Sequence, residues 1–266
     1  MKVSIVTISY NQAAFLERTL NSVLDQDYPD IEYIVVDPGS TDGSRDIIDR
    51  YRNRLARVVF EPDTGAADGL NKGFGYATGD VFAFLNSDDV LFPGAVRGAV
   101  ERLAATRLDI VSGHALVINE HDRTLRVAYS ERYSLKAYAY GTSIVIQPST
   151  FFSREAFLRT KGFNVNNKSN WDGELFADMA IAGARFGLVD QVWSGYRLHG
   201  QSITSSGKLH QRIQDHQKRM FRKIIGRDER ITDRLIALAF RIRKYLQNPT
   251  SLYERISRGP IYRRPA

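Results

Sequence analysis

The feature that most constrains the fold is an alternation of short apolar runs and amphipathic helical patterns through the first ninety residues. Four runs rich in β-branched residues have the character of buried strands, at residues 3–10, 32–37, 58–61 and 81–85. Helical patterns of ten to fifteen residues separate the runs, which predicts right-handed crossovers and a mostly parallel sheet. We therefore predict an α/β fold in which helices flank a central sheet.

Acidic residues lie at the ends of two of these runs. Asp37 ends the second run, and Asp88 and Asp89 follow the fourth after Asn86 and Ser87. Because ligands of open α/β sheets bind outside the carboxyl ends of the strands, we expect these carboxylates to share one edge. Paired carboxylates in a loop can hold Mn²⁺ or Mg²⁺, with substrate phosphates completing the coordination shell. Alternatively, Asp88 and Asp89 are turn formers or caps of a helix that begins near Pro93.

Cysteine content and hydropathy exclude several classes of protein. The chain has no cysteine, so disulfides, thiol catalysis and cysteine zinc sites are excluded. No apolar run approaches the roughly 20 residues that a membrane-spanning helix needs. We therefore expect a cytoplasmic protein, and attachment to the inner face of the cell membrane stays open.

Several spaced motifs follow one another in a fixed order along the chain. They occupy residues 3–11, 35–43, 68–73, 77–80, 84–89, 171–176 and 195–202. In this order the motifs resemble the catalytic domain of glycosyltransferase family 2, over residues 2–205. The resemblance implies the GT-A fold, a Rossmann-like arrangement. It also implies an inverting enzyme that moves a sugar from a nucleotide-diphosphate sugar to a hydroxyl acceptor, with Mn²⁺ or Mg²⁺ as cofactor.

The resemblance also implies roles for individual side chains. Asp172 matches the general base that deprotonates the acceptor hydroxyl. Asp89 matches the direct metal ligand, and Asp88 matches the aspartate that faces both the metal and the donor ribose. His199, in a Tyr-Arg-x-His segment, matches a further ligand of metal or phosphate. The positions matched to the nucleotide-sugar side are Thr7, Tyr10, Asp37, Asp68 and Lys72.

Each of these assignments has a structural alternative. Asp172 lies at the start of a predicted helix and could be its N-cap. Asp68 and Lys72 are one helical turn apart and could form a solvated ion pair. His199 could be a hydrogen-bonded loop histidine.

The substrates are left open by the sequence. The family usually has two adjacent aspartates after the second strand, but this chain has Pro38 after Asp37. The nucleotide could therefore be UDP, GDP or dTDP. The family-level expectation for the acceptor is a glycan or lipid-linked glycan in cell-surface polysaccharide or glycolipid assembly. Two rival functions are an inactive nucleotide-sugar-binding subunit and a metal-dependent nucleotidyltransferase.

The last sixty residues form a strongly basic segment. From residue 205 onward there are 16 Lys and Arg against 5 Asp and Glu, whereas residues 1–204 carry 21 against 25. We predict a catalytic domain over 1–205 and a basic tail over 206–266. The tail is predicted to contain two amphipathic helices, the second of which ends at Asn248, followed by a frayed terminus. The tail could dock on an anionic membrane, pack on the catalytic domain or join a second copy in a homo-oligomer. We expect no nucleic-acid partner, because aromatic interleaving is absent.

Overall fold

The computed structural model describes residues 1–200 and 210–259. The strands of this part are β1 (Val3–Ile8), β2 (Ile31–Val36), β3 (Arg57–Val59), β4 (Val81–Asn86), β5 (Val90–Leu91), β6 (Ile110–Ile118), β7 (Thr124–Ala128), β8 (Thr150–Ser153) and β9 (Phe186–Arg197). Its α-helices are α1 (Ala13–Leu24), α2 (Ser44–Tyr51), α3 (Ala66–Tyr76), α4 (Ala95–Ala104), α5 (Leu135–Ala139), α6 (Arg154–Leu158), α7 (Trp171–Ile181), α8 (His210–Ile225), α9 (Asp233–Gln247) and α10 (Pro249–Arg258).

The strands form one mixed sheet in the order β3-β2-β1-β4-β8-β6-β9-β5, with β7 paired to β6. Strands β3, β2, β1 and β4 are parallel neighbours, which confirms the parallel arrangement predicted for the first ninety residues. The second half extends the sheet through β8, which is antiparallel to both β4 and β6. Strand β9 returns parallel to β6 and pairs with the short β5 just after the acidic loop. This pairing brings the end of β9 beside Asp88 and Asp89.

Both faces of the sheet are covered, as the continuous apolar strands require. On one face, α1, α2 and α4 pack on β1, β2 and β4 around Leu16 and Leu20. On the other face, a phenylalanine cluster centred on Phe74 of α3 joins β4, β8, α6 and α7. Helix α3 lies so close to β1 that a Cβ on Gly73 would be 2.4 Å from Val6 Cγ1, so only glycine fits there. The core thereby fixes the carboxyl ends of β1 to β4 at one edge.

Two local predictions from the sequence are wrong. The helix expected near Pro93 is formed as α4, but Asp88 and Asp89 do not cap it, because β5 intervenes and Gly94 is the N-cap. The two apolar runs at residues 185–189 and 192–198 have the pattern of two separate strands, but residues 186–197 form the single strand β9. Register irregularities opposite His114 let this strand continue through the polar residues between the two apolar runs.

The tail has three helices in its described part. Helix α8 packs on the catalytic body through Met220, which contacts Tyr138 and Ala177. Helix α10 was not predicted, although its start has a clear signal: Asn248 accepts a hydrogen bond from the backbone amide of Ser251, and Pro249 occupies the first helical position. The predicted domain boundary at 205/206 lies outside the described residues. No helix within residues 1–200 and 210–259 has both the length and the apolarity to span a bilayer.

Candidate active site

The acidic loop after β4 holds its two aspartates in different environments. Asp89 is fully buried, and its carboxylate accepts a hydrogen bond of 2.8 Å from the backbone amide of Arg197. Burial, and secondarily the charge of Asp88, raise the pKa of Asp89 well above its usual range. The Asp88 side chain keeps 19% of its surface exposed, and its Oδ2 lies 3.0 Å from Nε2 of His199. The aspartate that faces outward is therefore Asp88, whereas the resemblance assigned direct metal binding to Asp89.

The end of β9 supplies the partner residues of this loop. The Arg197 guanidinium is buried and donates to the backbone carbonyls of Asp88 and Asn119, at 2.6 and 2.8 Å. The ring of Phe15, from α1, packs 4.5 Å from the His199 ring and 5.1 Å from the Arg197 guanidinium. Arg197 was not selected from the sequence. The signal was its spacing of two from His199, which places both side chains on one side of an extended segment.

Asp88 and His199 are the side chains that could hold a divalent metal here. A carboxylate oxygen and an imidazole nitrogen are both acceptable ligands for Mn²⁺. Within residues 1–200 and 210–259, no group of three or more His, Cys, Asp and Glu side chains converges on a metal-sized site. Two protein ligands nevertheless suit an ion that takes its other ligands from substrate phosphates and water. The residues therefore fit a metal that arrives with, or is completed by, a diphosphate.

Asp172 lies in the first turn of α7. The N-cap of this helix is Asn170, so the alternative that Asp172 is itself the cap is wrong. The ring of Trp171 packs 5.5 Å from that of Phe84, which places this turn beside the carboxyl end of β4. Burial raises the pKa of Asp172, and backbone amides of the same turn offset part of the increase. A carboxylate with a raised pKa beside a ligand-binding edge has the properties of a general base.

At the end of β1, two predicted nucleotide contacts differ in accessibility. Thr7 is fully buried, and its hydroxyl lies 2.9 Å from the hydroxyl of Tyr33 inside the core. A contact between the Thr7 side chain and a nucleotide does not fit this position. Tyr10 is 61% exposed just beyond the strand and is free of such packing. Of the two, Tyr10 can reach a ligand at the sheet edge.

Asp37 organises the loop after β2. Its carboxylate is fully buried and accepts hydrogen bonds from the backbone amides of Gly39 and Ser40 and from the Ser40 hydroxyl. The Arg45 guanidinium adds an ion pair at 3.1 Å. With these four donors in place, the Asp37 side chain holds the loop rather than facing outward. A base contact in this region would come from the loop that Asp37 shapes.

Asp68 and Lys72 belong to the first turns of α3. The Asp68 carboxylate accepts from the backbone amide of Thr64 at 2.9 Å, and Lys72 donates to the carbonyl of Pro62. Among the ion pairs of the described part of the chain, none joins Asp68 to Lys72. The alternative that these two side chains form a solvated ion pair is therefore wrong. Both side chains instead hold the loop that leads from β3 into α3.

A further carboxylate at this edge, Asp63, was missed in the sequence. It follows β3 and accepts from the backbone amide of Gly65 at 2.9 Å. Burial raises the pKa of Asp63, and the charges of Asp68 and Asp37 add to the increase. Asp63 therefore lies within electrostatic reach of both Asp37 and Asp68. Its position after the third parallel strand was the available signal.

Known proteins with similar sequences and structures fit this geometry. The sequence profile of Glycosyl transferase family 2 matches residues 4–161. An uncharacterized glycosyltransferase of Nostoc, alr2836, is 37% identical over 134 residues, which are 49% of this chain and 42% of that protein. The putative teichuronic acid biosynthesis glycosyltransferase TuaG of Bacillus subtilis is 47% identical over 90 residues, 33% of this chain and 36% of its own. The chain thus spans about two fifths of the length of these relatives.

A solved structure shares the fold over nearly the whole chain. The mannosyltransferase PcManGT of Pyrobaculum calidifontis, in complex with GDP-Man and Mn²⁺, superimposes with a TM-score of 0.66 at 21% identity. The match covers 98% of this chain and 76% of that protein. This likeness confirms the predicted GT-A architecture. Since the family profile covers more than half of the sequence and begins at β1, the chain belongs to glycosyl transferase family 2.

Proposed function

We propose that the protein is an inverting glycosyltransferase that moves a sugar from a nucleotide-diphosphate sugar to a hydroxyl acceptor. The observation that carries this proposal is the contact between Asp88 and His199 at the carboxyl edge of the sheet, with the first turn of α7 beside β4. The complex of PcManGT with GDP-Man and Mn²⁺ supports a nucleotide-sugar donor. The similarity to TuaG, a putative teichuronic acid biosynthesis glycosyltransferase, supports a role in polysaccharide synthesis.

The proposed reaction is a single displacement. Asp172 accepts the proton of the acceptor hydroxyl while that oxygen attacks the anomeric carbon. The bond from this carbon to the diphosphate breaks, and its electron pair leaves with the diphosphate. A divalent ion held by Asp88 and His199 would supply positive charge for the leaving group. Attack from the face opposite the diphosphate inverts the anomeric carbon, as in single-displacement glycoside chemistry.

The function is tested by offering UDP-, GDP- and dTDP-sugars with Mn²⁺ and a panel of glycan and lipid-linked glycan acceptors. We expect release of a nucleoside diphosphate that depends on the acceptor. An inactive binding subunit would instead show thermal stabilisation by a nucleotide without release. A nucleotidyltransferase would release pyrophosphate from a nucleoside triphosphate, and that product would contradict the proposal.

The pH dependence of turnover should report the environment of Asp172. The base must be deprotonated to accept a proton, and burial raises its pKa. We therefore expect kcat/KM to fall on the acidic side at a pH above about 4, the range of an ordinary aspartate. The measurement is kcat/KM against pH at saturating metal, with circular dichroism at each pH as the control for unfolding. An acidic limb at or below the ordinary aspartate range would contradict this assignment.

The tail supports a location on an anionic membrane surface. Helix α9 and the turn before it expose one apolar stripe, with the side chains Ile231, Leu235, Leu238, Ile242 and Leu246 between 49% and 83% exposed. Arg234, Arg241 and Arg243 border the stripe on the helical wheel. The single acidic residue of α9, Asp233, is buried and paired with Arg227. If the stripes of two copies packed together, their bordering arginines would face one another with no carboxylate between them. The charges therefore favour binding to anionic lipid over pairing with a second copy.

We expect the double substitution Leu235→Ser and Leu246→Ser to weaken binding to anionic vesicles by about 100-fold, since each buried leucine contributes about 1.5 kcal/mol or more. Co-sedimentation with vesicles containing an anionic phospholipid measures the effect. The matched control is Leu158→Ser on α6, because this leucine is also exposed (62%) but lies on the catalytic body. Equal sedimentation of parent, double variant and control would remove the membrane proposal.

A further inference from the structure

A histidine of the tail is buried against the catalytic body. His216 of α8 is 2% exposed, and its Nε2 lies 3.0 Å from the hydroxyl of Tyr138. Its Nδ1 lies 3.2 Å from both the Asn167 side-chain nitrogen and the Arg219 guanidinium. Both of these neighbours are donors, so Nδ1 is the acceptor and Nε2 carries the proton that is donated to Tyr138. The ring is therefore held by hydrogen bonds at both of its nitrogens.

The same cluster holds the residues on either side of Asp172. The Asn170 amide, at the N-cap of α7, donates to the Tyr138 hydroxyl at 3.3 Å, the same oxygen that lies 3.0 Å from Nε2 of His216. On the other side, Glu174 accepts from Asn167 at 2.7 Å and from Arg219 at 2.6 Å. Residues two before and two after Asp172 are thus held by partners on, or in contact with, α8.

Helix α8 is firmly attached at this place. Met220 and Phe221 are fully buried, and the Phe221 ring packs against that of Tyr140. The Gln217 side chain donates to the carbonyl of Ala139 at 2.6 Å. Burial, with the neighbouring Arg219 charge, lowers the pKa of His216 to about 4, so the ring is uncharged at neutral pH. An uncharged ring suits the donor and acceptor roles that its two nitrogens have here.

A cavity of about 210 Å³ lies between α8 and the start of α7. Asp172 is on one wall and Gln217 of α8 is on another. Tyr133 and Tyr138 also line it, and the Tyr133 hydroxyl is buried without a hydrogen-bond partner. A space of this size with an unsatisfied hydroxyl is suited to a polar group of a ligand. Helix α8 is therefore part of the wall beside the proposed base.

We propose that α8 completes the catalytic unit and that His216 is a positioning residue, which holds Tyr138, and through the Tyr138 hydroxyl Asn170, so that the first turn of α7 presents Asp172 to this cavity. The inference rests on the proposed function, in which Asp172 is the base. It assigns to the tail a role in turnover that is separate from membrane docking by α9. His216, Asn170 and Glu174 lie outside the segment matched by the family profile, whereas Tyr133 and Tyr138 lie inside it.

The test compares His216→Phe with His216→Gln in the full chain. Phenylalanine keeps the ring volume but removes both polar contacts, so we expect kcat to fall about 10- to 100-fold, the scale of a misplaced catalytic group, with the donor KM within about twofold of the parent. Glutamine retains a side-chain N–H near the Nε2 position, and we expect it to recover most of the loss. The matched control is His121→Phe, since His121 is an exposed histidine whose change should leave kcat intact.

A second measurement is independent of turnover. Hydrogen exchange should become faster in His216→Phe at residues 170–176 and remain at the parent rate at residues 81–86. Unchanged exchange in α7, or a parent-like kcat, in His216→Phe would overturn the positioning role. If the parent protein transfers no sugar but the exchange of α7 still differs between parent and variant, only the proposed function is overturned. If His216→Phe does not fold, Tyr138→Phe is the alternative variant, because it removes the hydroxyl that links His216 to Asn170. It should also lower kcat, and a parent-like kcat would overturn the positioning role.

Discussion

Replacing Asp172 by asparagine is expected to lower kcat by about 10²–10⁴-fold, the usual contribution of a positioned general base. Asparagine has the same shape but cannot accept the proton of the acceptor hydroxyl. The affinity for nucleotide should stay within about twofold of the parent, because the proposed donor contacts lie at the ends of β1 to β4. The measurement is kcat from nucleoside diphosphate release, with donor affinity from calorimetry.

Asp178→Asn is the matched control for this variant. Asp178 is on the same helix but does not line the cavity, and its carboxylate is paired with Lys223 of α8. Asparagine keeps an oxygen that can accept the hydrogen bond from Lys223, so this contact between α7 and α8 is retained. We expect this control to keep parent-like turnover. A fully active Asp172→Asn protein would show that another group accepts the proton, and equal losses in both variants would point to damage of α7.

Replacing Asp88 by asparagine is expected to lower kcat/KM by roughly 10²–10³-fold, because a metal contributes several kcal/mol of charge stabilisation. Asparagine removes the negative charge that faces His199 and leaves the loop backbone, which Arg197 holds, intact. Thermal stabilisation by nucleoside diphosphate should then no longer depend on Mn²⁺. In the parent, EDTA should abolish the same dependence and added Mn²⁺ should restore it.

Asp89→Asn provides the contrast within the same loop. The amide oxygen of asparagine can still accept the 2.8 Å hydrogen bond from the Arg197 amide, so we expect a change of no more than about tenfold. A larger loss in Asp89→Asn than in Asp88→Asn would reverse our distribution of roles between the two aspartates. It would favour Asp89 as the direct ligand, as the family resemblance implied.

The first half of the fold could be predicted because its signals are local. Strands β1, β2 and β4 are predominantly apolar runs, and the helices between them have a clear 3.6-residue period. The second half of the fold was harder to predict, because β9 continues across polar residues that resemble the end of a strand. Its length depends on pairing with β6, which is distant in the chain.

The candidate site shows the same division. The family resemblance carried by the order of motifs selected Asp88, His199 and Asp172, whereas the parallel strands predicted that Asp37, Asp88 and Asp89 share one edge. The direction in which each side chain points could not be predicted from the sequence. Thr7 and Asp37 were selected by position along the chain, but packing buries the first against Tyr33 and engages the second with Ser40 and Arg45.

By itself, the sequence determined the α/β class, the family and the edge of the sheet where chemistry is expected, because periodicity and motif order are properties of neighbouring residues. Tertiary structure alone decided which aspartate of the acidic loop faces outward, and that α8 lines the space beside Asp172 while α9 exposes its apolar stripe. Such choices depend on which surfaces remain uncovered once elements far apart in the chain have packed, and burial of that kind is not encoded in any single segment.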